Sequence, residues 1–140
     1  MKAFLTLAIF AFTASIPAVA QDYKVGKWQL TVTAEMPSMP GMPRGNMTPN
    51  SHTREYCVTE ADKEKNFLKA DNCTFSDRKI NGNTVSWKMA CSPEPKMTGD
   101  ITLVFAGDSY TGNSTLVMEI PEMPKMTIKG KYVGKYLGSC

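Results

Sequence analysis

Hydrophobic and polar residues alternate one by one along residues 26–36. Trp28, Leu30 and Val32 fall on one side of an extended chain, and polar residues such as Gln29 fall on the other. Because successive side chains of a strand point to opposite faces, this pattern predicts a half-buried β-strand.

The next segment, residues 36–50, holds four prolines and two glycines. Neither a helix nor a central strand runs through such a composition, which therefore predicts a long loop. Residues 51–58 return to an extended pattern. Thr59 resembles an N-cap before an acidic first turn, and a short helix is predicted from about Glu60 to Leu68.

A tight hairpin is predicted in the second half of the chain. A two-residue turn at residues 107–108 opposes Phe105 to Tyr110 and Met97 to Met118, so the apolar residues of both strands share a face. A further strand of period two follows the next proline-containing turn. Three consecutive strands are therefore expected to form a meander.

An earlier hairpin has two possible registers. A two-residue turn at residues 81–82 would place Phe75 opposite a lysine, which conflicts with the hydrophobic pattern. A shift of one residue, through a three-residue loop or a bulge, opposes Phe75 to Met89 and Cys73 to Cys91. Burial specifies register more strongly than one turn preference, so the shifted register is favoured.

Together these elements predict an all-β fold. The chain shows at least six strands, one short helix and a turn every ten residues or so. We expect an antiparallel meander that forms a curved sheet or a small barrel.

The N-terminus has the features of a secretory signal peptide. Lys2 precedes an apolar stretch, and Ala18 and Ala20 form the small-residue cleavage pattern. Residues 1–20 are therefore expected to be removed, leaving a single β domain over residues 21–140. Polar residues and a proline interrupt the apolar stretch, so no integral membrane segment is expected. The leader predicts a periplasmic or secreted bacterial protein.

Four cysteines follow the leader: Cys57, Cys73, Cys91 and Cys140. An even number in an exported domain of this size predicts two disulfides, for which three connectivities are possible. The shifted register favours Cys73 with Cys91, which leaves Cys57 for Cys140. A cysteine-based metal site is disfavoured, because the chain has no Cys-x-x-Cys pair.

The small net charge and the lack of catalytic motifs argue against several classes of function. The formal net charge is +3, and loss of the leader, with Lys2, leaves +2, from 15 basic and 13 acidic residues. So small a balance predicts no nucleic-acid partner. His52 is the only imidazole, and the chain has neither a nucleophile elbow nor a glycine-rich phosphate loop. We therefore expect no enzymatic activity and no catalytic residue.

Methionine is the unusual feature of composition. Met36, Met39 and Met42 each begin a Met-Pro-x triplet, and Met47 follows in the same loop. In an extended polyproline segment these triplets set neighbouring thioethers about 9 Å apart, too far to share one ion. The four methionines are therefore predicted to contact a partner or ligand. The alternative is a periplasmic Cu(I) site that uses Met39, Met42, Met47 and His52, because thioethers suit Cu(I).

Short motifs around the first strand and the cysteines occur in a recognisable order. They are Gly26-Lys27-Trp28-Gln29-Leu30-Thr31-Val32-Thr33 before the Met-Pro triplets, Tyr56-Cys57-Val58-Thr59, Cys73-Thr74-Phe75, the segment from Asn83 to Cys91, Tyr110-Thr111-Gly112 and Gly138-Ser139-Cys140. In these motifs the chain resembles the bacterial exported family known as domain of unknown function 3617. The resemblance implies a small envelope or secreted protein and supplies no activity or catalytic residue.

The sequence thus predicts a non-catalytic binding module. An apolar face of the sheet or the Met-Pro loop would bind an unknown protein or apolar ligand, and no cofactor is expected unless the copper alternative holds.

Overall fold

The computed structural model describes residues 23–35, 49–64 and 67–140. The predicted signal peptide and residues 36–48 of the predicted loop lie outside this part of the chain. Seven strands and one short helix are present, in the order β1 (Gly26–Glu35), β2 (Asn50–Val58), α1 (Glu60–Glu64), β3 (Cys73–Asn81), β4 (Thr84–Cys91), β5 (Lys96–Ala106), β6 (Ser109–Glu119) and β7 (Met126–Gly138).

All seven strands belong to one antiparallel sheet with the order β2-β1-β7-β6-β5-β4-β3. The strands β2 and β3 form its two edges and do not pair with each other, so the sheet is curved but not closed. The all-β meander is confirmed, and of the two predicted architectures the protein has the curved sheet rather than the barrel.

The hairpin between β5 and β6 has the predicted register. Phe105 lies opposite Tyr110, and Met97 lies opposite Met118. The turn residue Gly107 has a φ of 65°, which favours glycine because it has no side chain to strain. Strand β7 then pairs with β6 and completes the predicted meander.

The hairpin between β3 and β4 reaches the favoured register through a bulge. Cys73 lies opposite Cys91 and Phe75 lies opposite Met89, as predicted. The register shifts by one residue between Ser76 and Lys79, where Asp77 has a φ of 51°. The bulge reconciles a tight turn with the burial of the apolar side chains, so no three-residue loop is needed.

The helix α1 is shorter than the sequence indicates. It ends at Glu64, whereas Phe67 and Leu68 lie beyond it in an irregular segment and are buried. The N-cap prediction holds, because the Asp62 carboxylate accepts hydrogen bonds from both the backbone N–H and the hydroxyl of Thr59. Two buried apolar residues in succession suit a chain that crosses the core rather than a helix that lies on it.

The core lies on the inner, concave face of the sheet and centres on Phe67. This ring is 1% exposed and packs against aromatic rings from the N-terminal segment and four strands. Its centroid distances are 4.9 Å to Tyr23, 5.5 Å to Trp28, 6.0 Å to Tyr56, 5.1 Å to Phe105 and 5.3 Å to Tyr110. Phe67 therefore fills one end of the space that the curved sheet encloses.

Close packing of the sheet depends on Gly134. A β-carbon at this position would overlap the ring of Tyr110, its cross-strand neighbour on β6. The tyrosine ring thus lies flat over the glycine, and the inner face of β7 can approach the core closely.

Two disulfides tie the sheet together. Cys73 bonds to Cys91 between β3 and β4, and Cys57 at the end of β2 bonds to the C-terminal Cys140. This is the connectivity that the shifted register favours. Disulfides persist in oxidising compartments, so the pairing indicates an environment outside the cytoplasm. Within the described ranges, no helix has the length and apolarity needed to span a membrane.

Candidate functional site

An open cavity of about 190 Å³ lies on the inner face of the sheet, next to the core. Leu30 and Val32 of β1 form one wall, and Phe75 and Met89 of β3 and β4 form another. These strands lie at opposite ends of the strand order. The curvature of the sheet therefore creates the cavity by bringing its two ends towards each other.

Most of the remaining cavity lining is also apolar. Ile101 and Met97 of β5 lie between the two walls, and Leu68 and Ala70 approach from the segment before β3. Alternation along the strands supplies this lining, since every second residue of each strand faces inward. The site is thus a largely apolar depression that is built from six strands and the segment before β3.

Arg54 on the edge strand β2 is the one cation among the described residues of the lining. It lies opposite Leu30 in the register, and its guanidinium donates a hydrogen bond to the carbonyl oxygen of Lys69. His52 occupies the next position on the same face of β2, opposite Val32, and is exposed. One side of the cavity therefore carries positive charge within reach of solvent.

The size of the cavity limits what it can hold. An engineered cavity of about 150 Å³ with apolar walls binds benzene, whereas pockets for drug-sized ligands have about 300–1,000 Å³. At about 190 Å³, this cavity suits one small apolar group. The remainder of such a ligand would extend past Arg54 into solvent.

A pair of tyrosines joins two strands that are not neighbours in the sheet. The hydroxyls of Tyr56 and Tyr110 lie 3.0 Å apart and share a hydrogen bond, although their strands are three places apart in the sheet. Burial raises the pKa of Tyr110 to about 12, and burial together with the neighbouring Tyr110 also raises the pKa of Tyr56 above its usual range. Both hydroxyls stay protonated at neutral pH and act as a structural bridge across the curved sheet.

This bridge predicts a loss of stability in alkali. The unfolded chain releases tyrosine protons near pH 10, whereas the folded chain retains them up to a higher pH. The contribution of the pair to the free energy of unfolding is therefore complete below pH 10 and falls as pH rises from about 10 to about 12. Urea titrations between pH 8 and pH 11 measure it. The Tyr56→Phe variant should show a shallower decline, and an identical decline in both proteins would contradict this role.

The residues predicted for binding lie mostly outside the described ranges. The four methionines of the Met-Pro loop all lie within residues 36–48, outside those ranges: Met36, Met39, Met42 and Met47. Their assignment to a partner or to Cu(I) stays a prediction. His52 is exposed on β2. No group of three or more His, Cys, Asp or Glu residues that could hold a metal ion occurs in the described parts of the chain.

A family model described as "Protein of unknown function (DUF3617)" matches residues 23–140. The chain belongs to the DUF3617 family. No curated protein and no solved structure matches it. For this DUF3617 protein the site must therefore be interpreted from its own geometry.

Sequence reasoning missed the cavity of the DUF3617 domain. The alternation of β1 predicts that Leu30 and Val32 face inward, but not that β3 approaches them from the other end of the sheet. The sequence did contain one indication that Arg54 faces inward. It lies two residues before the inward-facing Tyr56 on the same strand, and therefore on the same face.

Proposed function

We propose that this DUF3617 protein is a non-catalytic binding protein of the bacterial envelope. In this proposal its cavity holds the apolar end of a small anionic amphiphile, with the anionic group at Arg54. The observation that supports this proposal most strongly is an apolar cavity whose lining, among the described residues, includes one cation, Arg54.

The chemistry of the lining supports this class of ligand. Transfer of a short acyl chain from water to apolar walls is favourable, by about 25 cal/mol for each Å² of apolar surface that is buried. A carboxylate at the opening can accept two parallel hydrogen bonds from a guanidinium. Arg54 has five N–H donors, and the hydrogen bond to the carbonyl of Lys69 orients its side chain.

The same lining supports binding rather than catalysis. A guanidinium stays protonated at physiological pH, so Arg54 is a poor general acid or base. Tyr132 also lines the cavity. Its hydroxyl donates its proton in a 3.1 Å hydrogen bond to Ser114 rather than towards a ligand. Export through the predicted leader agrees with the two disulfides.

Isothermal titration of the exported protein with octanoate tests the proposal. We expect one molecule to bind per chain and 1-octanol to bind more weakly, because the alcohol has no anionic group for Arg54. The Arg54→Gln variant should lose about tenfold or more in affinity for octanoate, since hydrogen bonds to charged groups contribute about 1.5–3 kcal/mol. Its affinity for 1-octanol should not change.

A cavity-filling variant provides the matched control. Ala70→Leu adds three carbon atoms to the lining and should abolish octanoate binding. Ala106→Leu makes the same change at an exposed position at the end of β5 and should leave binding intact. Equal binding by both variants, or no binding of octanoate by the unmodified protein, would refute the proposed function.

A further inference from the structure

Three methionines form a row across adjacent strands near one end of the sheet. Met97 of β5 lies directly opposite Met118 of β6, and Met118 lies directly opposite Met126 of β7. All three belong to the inner face, because each continues the alternation of buried residues on its strand. We call Met97, Met118 and Met126 the methionine row.

Only part of the methionine row packs against the hydrophobic core. All three residues are half-buried. Met97 packs against the core, whereas Met118 and Met126 belong neither to it nor to the described half-buried side chains that pack on it. The side chains of Met118 and Met126 are thus partly exposed at the edge of the core.

Strand geometry lets these sulfur atoms converge on one point. Neighbouring strands lie about 4.7–4.9 Å apart, and the Met side chain has three rotatable bonds. On the concave face of a curved sheet, side chains of adjacent strands lean towards each other. Met118 lies between the other two, so both outer side chains can lean towards it.

We propose that the methionine row binds one Cu(I) ion through its three thioethers. Soft, uncharged sulfur ligands favour Cu(I) over harder divalent ions. Lys125, next to Met126, would otherwise repel a cation, but its ammonium group pairs with the Glu119 carboxylate over 2.7 Å. All four cysteines are in disulfides and do not compete as thiolates.

Anaerobic titration of the exported protein with Cu(I), against the chromophoric chelator bathocuproine disulfonate, tests this site. We expect one Cu(I) per chain. Loss of a residue that only contacts a metal ligand costs about 10–100-fold in metal affinity. The Met118→Leu/Met126→Leu variant loses two direct ligands, so its Cu(I) affinity should fall more than tenfold. Leu preserves volume and apolarity, so this variant should fold, which its thermal unfolding curve checks.

Two control variants locate the site. Met123→Leu changes an exposed methionine on the turn between β6 and β7 and should leave Cu(I) affinity unchanged. The variant with Met39, Met42 and Met47 all changed to Leu should also retain it. Absence of Cu(I) binding, or binding that survives loss of the methionine row, would overturn the proposal, as would binding that disappears in the loop variant. The titration uses no octanoate, so its outcome is independent of the proposed function.

Discussion

Replacement of Phe67 by Ala is expected to lower the free energy of unfolding by about 3–5 kcal/mol, the range for loss of a buried aromatic side chain. Several core aromatics pack on the Phe67 ring, among them Tyr23, Trp28 and Tyr110. The variant should therefore leave a cavity beneath the curved sheet.

Urea unfolding of the protein, followed by tryptophan fluorescence, measures this effect, since the Trp28 ring lies 5.5 Å from the Phe67 ring. Phe67→Leu is the matched control, because it retains most of the apolar volume and should cost less than half as much. A loss below about 1 kcal/mol for Phe67→Ala, which is the average effect of any substitution, would show that Phe67 is not central to the core.

Removal of the Cys57–Cys140 disulfide is expected to destabilise the protein more than removal of Cys73–Cys91. The first bond joins residues 83 positions apart and the second joins residues 18 positions apart. Loop-closure entropy in the unfolded chain then gives about 4–5 kcal/mol for the long loop and about 3 kcal/mol for the short one. The long disulfide also fixes the C-terminus to an edge strand.

Paired Cys→Ala variants at each disulfide, compared by urea unfolding under the same conditions, test this order. Changing both cysteines of a pair prevents mispairing by a leftover thiol. A larger loss for the Cys73–Cys91 pair would contradict the ranking, and would mean that its position beside the cavity matters more than loop length.

The sequence predicted the parts of the fold that depend on alternation and short turns. The register of β5 with β6 followed from a two-residue turn and a shared apolar face, both of which are local. The register of Cys73 with Cys91 followed from burial alone, and the bulge at Asp77 is what makes it compatible with a tight turn. The helix end was wrong because Phe67 is held by tertiary packing, which overrides the local pattern.

The candidate site was harder to predict because it depends on curvature. Leu30 and Met89 come from strands four places apart in the sheet, and they share a cavity only because the sheet bends. No spacing in the sequence encodes that approach. Part of the methionine row could be predicted, because the predicted hairpin already opposed Met97 to Met118. The register of β7, which adds Met126, came only from the structure.

Methyl NMR spectra recorded during an octanoate titration test the central claim most directly, because they locate the ligand on the folded protein. The account predicts shifts for the methyl groups of Leu30, Met97 and Ile101, which line the cavity. It also predicts no shifts for Val104 and Val133, which are exposed on the outer face. Shifts confined to those two valines, or to the methionines of the Met-Pro loop, would contradict binding in the cavity.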